Sequence, residues 1–151
     1  MKDKLKECID WLRGQKVDYA DCRYVRTEKE SLRVSDAHVD SLSRSLDVGV
    51  GIRVLANGAW GFAATNTLSA ADLKRTAKKA LLIAKASATT VKEKVILAEQ
   101  EAFVDHYCTK FKKDPFAIST DDKIALLVEA CRIAGKSKKI KTTEANMNFW
   151  K

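Results

Sequence analysis

From Lys2 to Gln15 the apolar residues Leu5, Cys8, Ile9 and Leu12 recur at helical spacing, with Asp3 early and Arg13 late to complement the helix dipole and Gly14 as the stop. From Asp18 to Thr65 the period drops to two. Tyr19 to Arg26, Ser31 to Ser35, Val39 to Ser45, Val48 to Leu55 and Ala59 to Ala64 then read as five strands. Ser35-Asp36-Ala37-His38 supplies one tight turn, and Leu46-Asp47 or Asp47-Val48 supplies another. Asn57-Gly58 between alternating runs is a strong hairpin signal, because a type I′ turn needs positive φ at both central residues and these types tolerate it best.

Ser69 followed by Asp72 resembles a capping box with Asp in place of Glu, and Leu73, Ala77, Ala80, Leu81 and Ala84 then mark an amphipathic helix. Ser87 to Lys94 reads as a linker to two weaker strand candidates, Val95 to Ala98 and Phe103 to Cys108. Asp114-Pro115 breaks regular structure. Ser119 with Asp122 repeats the cap, Ile124, Leu127, Val128 and Cys131 predict a third helix ending at Gly135, and Ile140 to Trp150 alternates as a last strand. Successive antiparallel pairing gives an α+β fold: an antiparallel β-meander with helices packed on one face, in the order α-β-β-β-β-β-α-β-α-β.

Within the fourth predicted strand Gly49 and Gly51 share one face, while Val48, Val50, Ile52 and Val54 share the other. The glycine face is flat, so a neighbouring helix, a backbone or a partner segment can approach it closely. Gly49, Gly51 and Arg53 are the candidate contact residues for a partner or peptide. Trp60 and Phe62 alternate in the fifth strand and are expected to anchor the core.

The 151 residues suffice for one domain, residues 1–151, and 28 Lys and Arg against 20 Asp and Glu give a formal charge of +8. That excess raises a basic nucleic-acid-binding module as the alternative function. The charge is spread, however. Lys74, Arg75, Lys78 and Lys79 line the outside of the second helix with no interleaved aromatics to stack on bases, and Lys136, Lys138, Lys139 and Lys141 read as a solvated loop. Cysteines 8, 22, 108 and 131 form no Cys-x-x-Cys pair, so buried, reduced thiols are expected, with Cys8 and Cys131 on helix stripes. No leader-like or membrane-spanning run is present, and a cytoplasmic location is expected.

Catalytic constellations are absent. His38 sits in a turn between Asp36 and Asp40, and His106 follows Asp105, so neither has a second imidazole at helical spacing. Gly49-Val50-Gly51 lacks the third glycine and the following helix of a dinucleotide cradle. Ser35, Asp36 and His38 are triad residue types in a local turn, which is not triad geometry.

Three passages, in order, carry a family resemblance: YADCRYV (Tyr19 to Val25) with Glu30-Ser31-Leu32; Gly49 to Ser69 with its GAWGFA strand; and DPFAISTDDKIALLVEA (Asp114 to Ala130) with Asn148-Phe149-Trp150. Together they resemble the N-terminal domain of the TldD/PmbA family, whose members are often labelled modulators of DNA gyrase. The resemblance implies a domain of a zinc metallopeptidase acting on peptides or unfolded proteins through a TldD–TldE pair, as a homo- or heterodimer. In that family zinc is held by a His-Glu-x-x-x-His motif and a later cysteine, which this sequence does not contain. No catalytic or metal residue is therefore carried over, no cofactor is expected in this chain, and zinc is expected in a catalytic portion beyond Lys151. For this chain the resemblance implies a role in assembly and substrate enclosure.

Overall fold

Two long strands carry the architecture. The computed structural model describes residues 1–151 and shows α1 (Lys2–Arg13), β1 (Tyr19–Ser35), β2 (His38–Ala56), β3 (Ala59–Thr65), α2 (Ala70–Ser87), a one-turn 3-10 helix (Pro115–Ala117), α3 (Thr120–Gly135) and β4 (Glu144–Trp150). The four strands form one sheet in the order β3-β2-β1-β4, so β1 to β3 are a meander and β4 adds antiparallel to β1. The class is α+β.

Both hairpin turns lie where the sequence puts them. Asn57 and Gly58 have φ of 53° and 79°, and Asp36 and Ala37 have φ of 49° and 62°, the signs a type I′ turn requires. The expected turn near Asp47 does not form. No residue there has positive φ and β2 runs straight through, so the five predicted strands collapse to three. Thr27, Glu28 and Lys29 are polar and half-buried or exposed, and Leu46 and Asp47 are exposed; these strand positions interrupt the apolar alternation without supplying the Gly, Pro or Asn that a reversal needs. Gly14 also differs from expectation: it caps α1 with a right-handed φ of −62°, and the left-handed residue is Lys16 at φ 55°.

The chain divides into two compact units, Met1–Arg26 with Val48–Ala102, and Thr27–Asp47 with Phe103–Lys151. In the first, Cys8 and Leu12 of α1, Val50, Ile52, Val54 and Ala56 of β2, Ala63 of β3 and Leu73, Ala77, Ala80, Leu81 and Ala84 of α2 form one core. Leu12, Ile52 and Leu73 are sealed from solvent, each contributing about 1.5–3 kcal/mol by burial. The contact between β3 and α2 is close enough to need Gly61. A Cβ at that position would stand 2.1 Å from the Ala80 carbonyl oxygen and 2.4 Å from the Ala84 nitrogen. The alanine stripe of α2 and this glycine are one feature, since small side chains on the helix matter only if the strand backbone can reach them.

In the second unit Leu32 and Val34 of β1 pack against Leu127 and Cys131 of α3, with Ala145, Met147 and Phe149 of β4 alongside. The register pairs Leu32 with Met147 and Val34 with Ala145, which aligns the two apolar rows. The strand begins at Glu144 rather than Ile140. Asp36 sets that start: its Oδ1 accepts from the Thr143 amide at 2.7 Å, and its own amide donates to the Thr143 carbonyl at 2.9 Å.

Helix starts follow the predicted caps with one change of detail. Ser69 Oγ accepts from the Asp72 amide and Ser119 Oγ from the Asp122 amide, each at 3.1 Å. The aspartates do not reach back to the cap amides as a glutamate would. Each instead accepts the serine hydroxyl proton at 2.6 Å, the limit of its shorter side chain.

Neither Val95–Ala98 nor Phe103–Cys108 is a strand. Ile96, Phe103, Val104 and Tyr107 are 90%, 80%, 100% and 85% exposed, so their alternation has no surface in this chain to bury against. One ordered link exists, from the Val95 amide to the Gly58 carbonyl at 2.9 Å.

Candidate functional site

The Asn57-Gly58 turn fixes the β2–β3 register, pairing Gly51 with Ala64, Arg53 with Phe62 and Leu55 with Trp60. Alternation then sends Val50, Ile52, Val54, Ala59 and Ala63 toward the helices and leaves Gly49, Gly51, Arg53, Trp60, Phe62 and Ala64 on the opposite face. Neither helix of the first unit covers the glycines. The nearest cover is a side chain, since a Cβ on Gly51 would lie 3.0 Å from the Phe62 ring.

This corrects the expectation for the two aromatics. Phe62 is 59% exposed, and Trp60 packs edge-on to Tyr19 with ring centroids 5.9 Å apart rather than joining the buried cluster. The residues Gly49, Gly51 and Arg53 lie together along one concavity of about 750 Å³, which also takes in Asp21, Arg23, Val25, Phe62, Thr65 and Asn66. Asp21 and Arg23 were not singled out from the sequence, and Phe62 was expected in the core rather than here. The hairpin register carried the signal for Phe62, because counting outward from Asn57-Gly58 sets it opposite Arg53.

Arg53 is held from two sides. Its Nε and Nη2 donate to Asp21 Oδ2 at 2.9 and 2.7 Å, and its guanidinium carbon stands 4.7 Å from the Trp60 ring centroid. The hydrogen bonds to the Asp21 carboxylate, and then its charge, push the Arg53 guanidinium above its ordinary value, so the charge is fixed. Flat backbone, an exposed phenyl ring and anchored positive charge suit an extended chain segment. The arrangement holds no nucleophile with an adjacent base.

A family match bears on this region directly. Residues 20–84 match the model of PmbA/TldA metallopeptidase domain 1. That stretch is similar to the first domain of this family. Gly49, Gly51, Arg53 and Phe62 of the concavity lie within the matched residues, as does Trp60 beside Arg53. Over 112 residues the chain is 28% identical to a metalloprotease of Methanocaldococcus jannaschii, covering 74% of this chain and 25% of that protein.

The fold is shared with solved structures. A Bacteroides thetaiotaomicron protein labelled a modulator of DNA gyrase superposes with a TM-score of 0.76 at 17% identity, over 99% of this chain and 34% of that one. A Thermotoga maritima protein under the same label gives 0.69 at 17%, over 97% and 35%. TldE from Thermococcus kodakarensis gives 0.57 at 15%, over 97% and 33%. The chain thus spans about a quarter of the length of the curated relative and about a third of each solved chain.

The side chains around His38 do not assemble a metal site. His38 Nδ1 is engaged with the Asp36 carbonyl at 2.8 Å, Asp36 Oδ1 accepts from Thr143, and Asp40 pairs with Arg33 at 3.3 Å. No three His, Cys, Asp or Glu side chains converge, and the zinc of the metallopeptidase family has no fitting donor set among these residues. Lys136, Lys138, Lys139 and Lys141 lie exposed between α3 and β4, and Lys74, Lys78 and Lys79 are exposed on α2. No helix is long and apolar enough to cross a membrane. Of the thiols, Cys8 and Cys131 are buried as expected, whereas Cys22 is half-buried and Cys108 is exposed.

Proposed function

We propose that this chain is the assembly and substrate-enclosing N-terminal domain of a TldD/PmbA-type zinc metallopeptidase, without catalytic activity of its own. Peptides or unfolded proteins are the substrates of the whole enzyme, which is cytoplasmic and pairs with a second protomer of the TldD–TldE kind. The match of residues 20–84 to a metallopeptidase first domain carries this reading, together with the fraction of the relatives' length that the chain spans. The glycine face supports the peptide-contact role, because Gly49 and Gly51 line the concavity and the Phe62 ring beside Gly51 is an exposed side chain that can turn aside for a backbone.

The test is a titration of the purified chain carrying Trp11→Phe and Trp150→Phe with a reduced, alkylated, tryptophan-free unfolded protein, followed by the fluorescence of Trp60. Saturable binding that Gly51→Val and Arg53→Ala each weaken at least tenfold, with unchanged circular dichroism, supports the contact. Binding indifferent to both substitutions removes the glycine face from it. Chelator-sensitive cleavage by the chain alone would overturn the non-catalytic assignment.

A further inference from the structure

The concavity over Gly49 and Gly51 has two unlike walls. On the β3 side, Gly51 pairs with Ala64 and Arg53 with Phe62, and the Phe62 ring leans toward Gly51. On the β1 side, the bond from Arg53 to Asp21 sets the local alignment of the two strands. Antiparallel neighbours advance in opposite senses, so Arg23 stands alongside Gly51 and Val25 alongside Gly49. One wall therefore carries an exposed phenyl ring, and the wall across the glycines carries a guanidinium.

The charges lining the concavity do not cancel. Asp21 and Arg53 neutralise each other at 2.7 Å, whereas Arg23 is exposed and no ion pair or hydrogen bond engages it. We propose that this concavity selects acidic peptides: an extended segment in which an apolar residue and an Asp or Glu are neighbours in sequence, the apolar side chain against Phe62 and the carboxylate on Arg23. This preference presupposes the peptide-contact role proposed for the glycine face. A free guanidinium offers a planar fork of donors that a carboxylate fits with two parallel hydrogen bonds.

The spacing favours neighbouring residues over residues further apart. Successive side chains of an extended chain point to opposite sides, as the two walls flanking Gly51 require. Adjacent strands lie about 4.8 Å apart, so the β1 and β3 walls stand roughly 10 Å from each other, a width that one extended backbone over the glycines fills. Nucleic acid fits the same place less well. A polyphosphate strand draws on a series of cations along its path, and here a single one is unpaired, beside the apolar Val25 and Phe62.

The experiment uses the full chain and three labelled, unstructured decapeptides, identical except that a central leucine is followed by Glu, Gln or Lys, with binding read by fluorescence anisotropy. The Glu peptide is expected to bind about tenfold more tightly than the Lys peptide at low salt, with the Gln peptide between them, and the gap narrows as salt is raised. Arg23→Gln removes the preference and Arg23→Glu reverses it, while the Gln peptide keeps its native affinity for both variants, which shows that they are folded. Phe62→Ala weakens all three peptides alike. Equal affinities for the native chain, or a Glu preference that survives Arg23→Gln, overturn the acidic preference and leave peptide contact standing. Absence of binding by all three, or binding indifferent to Gly51→Val, overturns the peptide-contact role and the preference together. Displacement of the Glu peptide by an equal concentration of single-stranded oligonucleotide overturns the choice of peptide over nucleic acid.

Discussion

Lys123 Nζ donates to Glu30 Oε1 across 93 residues of sequence, with both side chains only 3% exposed. The half-exposed Arg44 completes the group, its Nε donating to Glu30 Oε2 at 3.0 Å, and the Lys123 ammonium stands 5.2 Å from the Phe149 ring centroid. One carboxylate thus holds β1, β2 and α3 of the second unit together. No buried side-chain nitrogen or oxygen in the protein is left without a hydrogen-bond partner, which makes this network complete rather than frustrated.

Removing one partner should cost far more than removing both. Lys123→Met is expected to destabilise the protein by about 3 kcal/mol, because it leaves the buried carboxylate to the half-exposed Arg44 alone, while Lys123→Met with Glu30→Gln recovers most of that loss. Urea denaturation of the two variants checks the difference. A single substitution costing under about 1 kcal/mol would sink the idea that the pair is desolvated.

The same carboxylate predicts acid sensitivity. Burial by itself would raise the Glu30 pKa, but hydrogen bonds from Lys123 and Arg44 and then their charges outweigh it and hold the group below its ordinary value. A carboxyl whose folded pKa is depressed stabilises the fold above its unfolded pKa, about 4.3, and that contribution is lost as pH falls through the folded value. Thermal melts between pH 6 and pH 3 should show a steeper acid decline for the native sequence than for Glu30→Gln. Parallel curves would refute the assignment.

Glycines 61 and 51 should respond differently to the same change. Gly61→Ala drives a methyl into the α2 backbone and is expected to cost roughly 3 kcal/mol or more. Gly51→Ala meets only the Phe62 ring, an exposed side chain that can swing aside, and should cost under about 1 kcal/mol. Chemical denaturation of both variants, compared side by side, is decisive.

Ala37 is an alanine at φ 62° in a two-residue hairpin turn, where left-handed backbone strains any Cβ. Ala37→Gly should stabilise the protein by about 0.5–1 kcal/mol after the unfolded-state entropy of glycine is deducted. A lower denaturation midpoint for the variant would show that packing of the Ala37 methyl, which touches the α3 core, outweighs the strain.

The sequence by itself determined the elements whose causes are local. Helical periodicity, the Ser69 and Ser119 caps, the two hairpin turns and the alternation that sorts Gly49, Gly51 and Arg53 from Val50, Ile52 and Val54 all act within a few residues, so all were legible. Continuous strands were not, because Thr27 to Lys29 and Leu46 to Asp47 are set by pairing with neighbouring strands rather than by their own pattern. Tertiary structure alone decided which sheet face receives the helices, and with it the exposure of Phe62 and the need for glycine at position 61. It also decided that Glu30 finds Lys123. A charge carries no periodic signal, so its partner is known only when the chain brings the two together.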